Sequence, residues 1–104
     1  MLNTTGFRNI NATEVHNMIS EENVQVIDVR ESYEFANGHI PVATLIPLQT
    51  IPNNMDQLDK NNKIIVVCAS GARSSSAAGY LTQHGYEVYN MVGGMMGWMF
   101  ETGR

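Results

Sequence analysis

The only cysteine of the chain, Cys68, stands at a position where chemistry is expected. It follows the apolar residues 64–67, whose continuous pattern is typical of a strand buried on both faces. A helix is predicted to begin soon afterwards, near Arg73. In open α/β sheets, ligands bind outside the carboxyl ends of the strands. The sequence therefore predicts that Cys68 lies in a ligand-binding position.

The residues after Cys68 are small, which allows the chain to curl until its backbone N–H groups converge on one point. These residues are Ala69, Ser70, Gly71 and Ala72. The first N–H groups of a helix lack intrahelical partners and carry the positive end of the helix dipole. A sulfur in such a cradle is stabilised as a thiolate, and Arg73 would add a fixed positive charge. Comparable positions lower a thiol pKa from ~8.5 toward ~4–7. The cradle would equally hold a persulfide anion or the oxygens of thiosulfate.

A purely structural role for Cys68 is the alternative, because a lone cysteine after an apolar strand is commonly a small buried hydrophobe. Such a residue needs neither an amide-rich loop nor a neighbouring arginine. The segment from Ser70 to Ser74 therefore favours a functional cysteine.

The elements that must position this loop follow from the alternation of strand-like and helix-like segments, which predicts an α/β domain with a mostly parallel sheet. Predicted strands cover residues 7–10, 24–29, 44–46, 64–67 and 86–91. Predicted helices cover residues 11–19, 31–37, 48–58, 73–84 and 94–100, the third being weak because of Pro52. Asn11 and Glu14 form a candidate capping box, and Gly38 and Gly85 are candidate C-terminal caps.

Bulk properties exclude several classes of function. The chain has 104 residues, 43% hydrophobic and 15% charged, which predicts one domain over residues 1–104. A net charge of −4 without a run of Lys or Arg argues against nucleic acid as a partner. No apolar run approaches the ~18 residues of a membrane span. Residues 1–11 lack the features of a signal peptide, so we expect a cytoplasmic protein.

The sequence predicts no metal ion and no cofactor. One cysteine excludes an intramolecular disulfide and a C-x-x-C zinc site. The three histidines, His16, His39 and His84, fall in different predicted elements. The glycines at 93, 94 and 97 follow the last strand and leave no room for a βαβ unit, so they predict a turn rather than a dinucleotide loop.

Five motifs, in order, carry a resemblance to a known family. They are Asp28-Val29-Arg30, Gly38-His39-Ile40-Pro41-x-Ala43, Ile46-Pro47-Leu48, Cys68-x-Ser70-Gly71-x-Arg73-Ser74, and Gly93-Gly94 with Trp98. From about Ile10 to Trp98 the chain resembles the rhodanese family. The resemblance implies a three-layer α/β fold, in which helices flank a five-stranded parallel sheet. It also implies that Cys68 takes a sulfane sulfur from thiosulfate or a persulfide and hands it to a thiophilic acceptor, in two displacement steps.

Loop length separates this resemblance from related enzymes of the same fold. Here the spacing is Cys-x4-Arg, whereas the related phosphatases and arsenate reductases have Cys-x5-Arg. The shorter loop makes a tighter ring, which suits a persulfide better than a tetrahedral phosphate. Two departures from the family pattern are Val42, where many relatives have glycine, and Ala69, where many have a basic or large residue. Ala69 leaves Arg73 as the only cation of the loop.

The resemblance assigns supporting roles to residues outside the loop. Asp28 would orient loop amides, and Arg30 would pair with a nearby carboxylate such as Glu34. His39 is expected to be a hydrogen-bonded turn residue rather than a catalytic base. The methionines Met91, Met95, Met96 and Met99, with Trp98 and Phe100, are expected to form core and lid around a C-terminal helix, or in part an exposed docking patch.

Three hypotheses follow. The first is an enzyme that moves sulfur through a Cys68 persulfide, with a small sulfane-sulfur donor and a thiol, cyanide or protein cysteine as acceptor. The second is a sulfur-carrier or interaction module that works only with a partner protein. The third is a redox sensor in which Cys68 is oxidised reversibly, although the chain offers no resolving cysteine.

Overall fold

A five-stranded, fully parallel sheet forms the centre of the computed structural model, which describes residues 6–104. The strand order is β1-β5-β4-β2-β3, with the helices in the connections. The strands are β1 (Arg8–Ile10), β2 (Val24–Asp28), β3 (Thr44–Leu45), β4 (Lys63–Val67) and β5 (Glu87–Met91); the α-helices are α1 (Ala12–Met18), α2 (Ser32–Ala36) and α3 (Ala72–Gln83). The five predicted strands and the parallel α/β class are confirmed. Residues 1–5, part of the stretch from which no signal peptide is expected, lie outside the described residues.

Strand β4 is the central strand, as its apolar run predicts. It pairs in parallel register with β2 through Ile65 and Val26, and with β5 through Ile65 and Tyr89. Its residues 64–67 have no exposed surface. Parallel strands covered on both faces carry such continuous apolar runs, because every side chain enters a core.

Two apolar clusters, one on each face of the sheet, give the three layers. Helix α3 covers one face through its buried residues Ala77, Ala78 and Leu81, which belong to the same cluster as Ile64 and Val66. Helix α1 covers the other through Val15, in the cluster that contains Ile65 and Val67. The alternation of β4 side chains between the clusters follows the two-residue period of a strand.

Local signals fix the helix ends. The predicted capping box is present, since the Glu14 N–H donates to Asn11 Oδ1 at 2.8 Å and the Asn11 N–H donates to Glu14 Oε1 at 2.9 Å. Gly85 follows α3 with φ of 92°, a left-handed conformation that favours glycine. Among residues 6–104, no helix is both long enough and apolar enough to cross a bilayer.

Two predicted helices are wrong in type. Residues 48–58 form two short 3₁₀ helices, Leu48–Asn53 and Met55–Gln57, because Pro52 has no N–H to donate to an α-helical ladder. Residues 94–100 contain only the 3₁₀ turn Met95–Gly97. There the N–H groups of Met95 and Met96 donate to the carbonyls of Cys68 and Ala69, and the N–H groups of Gly97 and Trp98 donate three residues back, to Gly94 and Met95.

Candidate functional site

Cys68 directly follows β4, at the carboxyl edge of the sheet, and leads through a tight loop into α3. Gly71 is the last residue before α3 and has φ of 107°, which a residue with a side chain rarely adopts. A Cβ at this position would come within 3.4 Å of the Gly93 backbone nitrogen. The glycine therefore allows the loop to turn back sharply beside the β5 end of the sheet.

The Cys68 sulfur lies inside this turn. The Gly71 N–H donates to Sγ at 3.0 Å, and the thiol donates to the Ser74 hydroxyl across 3.3 Å. Cys68 is only 1% exposed. The cysteine lies between β4 and α3, as the sequence predicts. Its sulfur is buried, as expected of a structural cysteine, but backbone amides also face it, as expected of a functional one.

Burial raises the pKa of the Cys68 thiol, because a charged sulfur loses hydration. When the sulfur is charged it accepts hydrogen bonds, and those from the hydroxyl and N–H of Ser74 and from the N–H groups of Gly71 and Ser70 lower the pKa. The hydrogen bonds prevail, so the pKa of Cys68 lies below its ordinary value. The arrangement therefore favours a charged sulfur in a nearly water-free position.

The sequence suggested that Arg73 adds an uncompensated positive charge beside the sulfur, but Arg73 is ion-paired. Its two terminal nitrogens donate to the two carboxylate oxygens of Glu34, each at 2.8 Å. The Arg73 guanidinium holds the pKa of Glu34 at about 2, and Glu34 in turn raises the pKa of Arg73. This bidentate pair ties α3 to α2 and largely offsets the charge that the loop would present to an anion.

The expected roles of Asp28 and Arg30 need correction. Arg30 pairs with Asp28 rather than Glu34: its Nε donates to Oδ1 at 2.9 Å and its terminal nitrogen to Oδ2 at 2.8 Å. Residues two apart in an extended segment point to the same side, so Asp28 is the nearest carboxylate. Asp28 is fully buried, and its carboxylate accepts hydrogen bonds from Arg30 and none from amides of the Cys68 loop. Arg30 also donates to the Gly38 carbonyl at 2.9 Å, which fixes the chain after α2.

A chain of polar side chains behind the sulfur was missed by the sequence reasoning. The Ser74 hydroxyl donates to Asn90 Oδ1 at 2.5 Å, and Asn90 Nδ2 donates to Asn9 Oδ1 at 3.0 Å. Asn9 and Asn90 are register partners in β1 and β5. The available signal was Asn90 itself, a polar residue between Tyr89 and Met91 in the predicted last strand.

The predicted glycine turn after β5 is confirmed and supports the loop. The Met95 N–H donates to the Cys68 carbonyl at 2.8 Å, and the Met96 N–H donates to the Ala69 carbonyl at 2.9 Å. Gly94 lies so close that a Cβ there would stand 2.4 Å from the Ala69 carbonyl group. The turn therefore fixes the first two residues of the loop from behind.

A cleft of about 310 Å³ opens beside Ala69. Its lining includes Arg30, Glu34, Ala69, Met95, Met96 and Trp98. Both arginines near this cleft are engaged with carboxylates, so its wall within residues 6–104 offers apolar surface and compensated charge. No group of three His, Cys, Asp or Glu side chains suited to a metal ion occurs in the same part of the chain.

The expected roles of His39 and of the methionines are resolved by their contacts. His39 Nδ1 lies 2.8 Å from the Phe35 carbonyl, and its ring stacks on that of Phe35. This agrees with a hydrogen-bonded turn residue. Met91 is fully buried in the core, whereas Met96 and Met99 are 81% and 85% exposed. Met91 is thus a core residue, Met96 is exposed and lines the cleft, and Met99 is exposed outside the cleft lining.

A parallel α/β sheet with a cysteine loop that leads into a helix defines the class of protein, and comparison with known proteins gives the family. The model of the rhodanese-like domain matches residues 11–101. A protein of Bacillus subtilis (strain 168), provisionally named the sulfurtransferase YtwF, is 42% identical over 83 residues, which are 80% of this chain and 81% of that protein. Another from the same organism, provisionally named the sulfur carrier protein YrkF, is 37% identical over 84 residues, but they make up only 45% of its length.

Solved structures agree with this assignment. The rhodanese-like domain protein of Staphylococcus aureus superposes with a TM-score of 0.82 at 40% identity, covering 88% of this chain and 91% of that one. The chain belongs to the rhodanese-like domain family, whose named relatives here include sulfurtransferases.

Proposed function

We propose that the chain is a rhodanese-type sulfurtransferase in which Cys68 carries the transferred sulfur as a persulfide. The observation that carries the proposal is the Gly71 N–H directed at Sγ across 3.0 Å, at the start of a twelve-residue helix. The family relationship supports sulfur transfer in general, and the amide-lined sulfur supplies the group that would perform it. The whole chain then acts as one domain around this loop.

The first half of the reaction forms the persulfide. The Cys68 thiolate attacks the outer sulfur of thiosulfate or of an organic persulfide, and a new S–S bond forms between Sγ and that sulfur. The bond between the transferred sulfur and the donor breaks, and its electron pair leaves with sulfite or a thiolate. The negative charge then rests on the outer sulfur of Cys68, where the amides of Ser70 and Gly71 can stabilise it.

The second half returns the enzyme to its starting state. A thiolate or cyanide acceptor attacks the outer sulfur, and the S–S bond to Sγ breaks. Its electron pair returns to Cys68, so the thiolate re-forms within the same cradle. In this scheme Ala69 lines the approach, Ser70, Gly71 and Ala72 form the turn, and Arg73 holds it to α2 through Glu34. Asp28 and Arg30 support the neighbouring chain.

Intact mass spectrometry tests the proposal. The purified protein is incubated with thiosulfate, and separately with cysteine persulfide, and the mass is recorded before and after addition of cyanide. We expect a gain of one sulfur atom that disappears with cyanide and that Cys68→Ser lacks while keeping its circular dichroism spectrum. Absence of the adduct with both donors, in a correctly folded protein, refutes the proposal.

A sulfur-carrier module that exchanges sulfur only with a partner protein is the second candidate. It is favoured by the exposed Met96 beside the cleft and by the ion-paired state of both arginines, which gives a small dianion no free cation within the described lining. The likeness to a protein named as a sulfur carrier supports it. This candidate predicts slow turnover with thiosulfate and cyanide but rapid discharge of the Cys68 persulfide to a protein thiol. Rapid turnover of thiosulfate and cyanide at micromolar concentrations contradicts it.

A further inference from the structure

The polar chain behind Cys68 crosses the protein from the buried sulfur to the surface. Ser74 is fully buried and Asn90 is 4% exposed, whereas Asn9 is exposed in the edge strand β1. The hydrogen bonds run in one direction, from the thiol to the Ser74 hydroxyl, on to Asn90 Oδ1, and from Asn90 Nδ2 to Asn9 Oδ1. This direction is correct for a neutral thiol, because the thiol is the first donor.

The same direction cannot persist when Cys68 is ionised. A thiolate has no proton to give and instead accepts hydrogen bonds, and the Ser74 hydroxyl has only one proton. If that proton turns to the sulfur, the Ser74 oxygen and Asn90 Oδ1 become two acceptors 2.5 Å apart without a proton between them. If the Ser74 hydroxyl keeps donating to Asn90 Oδ1, the buried thiolate loses one of its donors. Either arrangement leaves a buried polar group without its hydrogen-bond partner, which is unfavourable.

A half-turn of two amide groups removes the conflict. When the Asn90 amide rotates, its Nδ2 donates to the Ser74 oxygen, and the Ser74 hydroxyl is free to donate to the thiolate. Asn90 Oδ1 then faces Asn9, which accommodates it by presenting Nδ2 in turn. Asparagine can do this because its two ends have nearly the same shape and opposite hydrogen-bonding character. Asn9 lies at the exposed end, so water replaces any bond that its rotation gives up.

We propose that Asn90 and Asn9 are positioning residues that reverse the direction of the Ser74 hydrogen bond as Cys68 changes between thiol and thiolate. This role rests on the proposed sulfur transfer. In that reaction Cys68 is a thiolate twice, before it attacks the donor and again after the acceptor has taken the sulfur. Once the persulfide has formed, the charge lies on the outer sulfur and the Ser74 hydroxyl can return to Asn90.

The fixed charges around the site do not perform this function. On α3 and α2, Arg73 and Glu34 neutralise each other through two hydrogen bonds. After β2, Asp28 and Arg30 do the same. The neutral chain through Ser74, Asn90 and Asn9 is therefore the part that must respond when the sulfur gains its charge.

The decisive variant is Asn9→Asp, because a carboxylate can only accept hydrogen bonds. It holds Asn90 Nδ2 toward the surface, and Asn90 Oδ1 then keeps the Ser74 proton away from the sulfur. The matched control is Asn11→Asp, which adds the same charge two residues away, at the helix cap, where aspartate accepts the Glu14 N–H equally well. A second control, Asn9→Ala, leaves water to take either role.

The thiol pKa of Cys68 is measured in the three variants from the ultraviolet absorbance of the thiolate. We expect Asn9→Asp to raise it by about one unit, a tenfold loss of thiolate at a given pH below the pKa. Asn11→Asp and Asn9→Ala should stay within a small fraction of that shift. An equal shift in Asn9→Asp and Asn11→Asp refutes the proposal, because it reduces the effect to added charge.

Side-chain amide NMR separates this role from a purely structural one, because only a reversal of the hydrogen bonds makes the Asn90 amide signals follow the ionisation of Cys68. The Asn90 Nδ2 protons should titrate with the same midpoint as the Cys68 thiol and lose this titration in Cys68→Ser. If the chemical shifts of the Asn90 Nδ2 protons do not change as Cys68 ionises, the proposal is refuted. Both measurements need no sulfur donor, so they remain informative if no persulfide forms. In that case the proposed function fails, and the hydrogen-bond reversal is judged separately.

Discussion

At the scale of single residues, the state of Cys68 is decided by two opposing effects. Its burial removes water from the sulfur, which penalises a thiolate by several kcal/mol. Each hydrogen bond to a charged group returns about 1.5–3 kcal/mol, and donors at Ser74, Gly71 and Ser70 face the sulfur. Two or three such bonds are enough to offset the loss of hydration. The charge on Cys68 therefore depends on the backbone N–H groups of the loop more than on any charged side chain.

Ala69 is the position at which a substitution can change the preference for the sulfur donor. It lines the cleft, and the nearby arginines are already paired, so Ala69→Lys introduces an unpaired cation at the approach to the sulfur. We expect kcat/KM for thiosulfate to rise about fivefold, equivalent to about 1 kcal/mol, and the gain to shrink in high salt.

The control for this change is Ser76→Lys, which adds the same charge at an exposed position within α3, outside the Cys68 loop. Steady-state kinetics with thiosulfate and a neutral thiol acceptor separate the two variants. Equal gains in both would mean that only overall charge matters, and no gain in either would show that the donor does not approach past Ala69.

At the scale of elements, the turn after β5 holds the loop that follows β4. The Met95 N–H donates to the Cys68 carbonyl, and the Met96 N–H donates to the Ala69 carbonyl. Gly94 makes the approach possible, with φ of 56° and no side chain to collide with the loop. The position of the sulfur is thus fixed from two neighbouring strands of the sheet.

Gly94→Ala tests this support. Its Cβ would stand 2.4 Å from the Ala69 carbonyl group and 2.6 Å from the Cys68 carbonyl oxygen, so the turn and the loop must separate. We expect the free energy of unfolding in urea to fall by about 2 kcal/mol or more and persulfide formation to slow. Gly97→Ala is the control, because a Cβ there meets nothing within 4 Å. Comparable stability of the two variants would contradict the role given to the turn.

The elements also show what the sequence could predict. Strand β4 and helix α3 were predictable because their apolar periodicity reflects burial, and the loop between them followed from its small residues. The 3₁₀ turn at Met95–Gly97 was not, because its N–H groups bond to carbonyls of Cys68 and Ala69, distant in sequence. The role of Asn90 was hidden for the same reason: its partner Asn9 is 81 positions away along the chain.

At the scale of the whole molecule, the Glu34–Arg73 pair connects helix α2 to helix α3. Sequence resemblance placed a carboxylate near an arginine but chose the wrong arginine, since only the folded arrangement brings Arg73 to Glu34. The pair is partly exposed, with 36% of the Arg73 side chain and 20% of the Glu34 side chain open to solvent. Solvent screening therefore makes its contribution to stability smaller than the pKa shift alone suggests.

This pair predicts a definite loss of stability in acid. The pKa of Glu34 is about 2 in the folded protein, below its ordinary value of 4.5. A carboxyl with a depressed folded pKa stabilises the fold above its unfolded pKa and loses that contribution as the pH falls through the folded value. The loss of this pair should therefore lower the free energy of unfolding by about 1 kcal/mol between pH 4.5 and pH 2.

Urea unfolding at a series of pH values measures this contribution. Glu34→Gln should remove most of that drop, whereas Glu22→Gln, at an exposed position before β2, should preserve it. Identical pH profiles for the wild type and Glu34→Gln would contradict the assignment of acid sensitivity to this pair.

The measurement that bears most directly on the whole account is the ionisation of Cys68 in the native protein. Thiolate absorbance is followed from acid to alkaline pH, with Cys68→Ser subtracted to remove tyrosine, and the midpoint is checked by the pH dependence of reaction with iodoacetamide. If backbone amides stabilise the charged sulfur, the midpoint lies well below the ~8.5 of an ordinary thiol. A midpoint at or above that value would mean that burial prevails and that Cys68 rests as a neutral core residue.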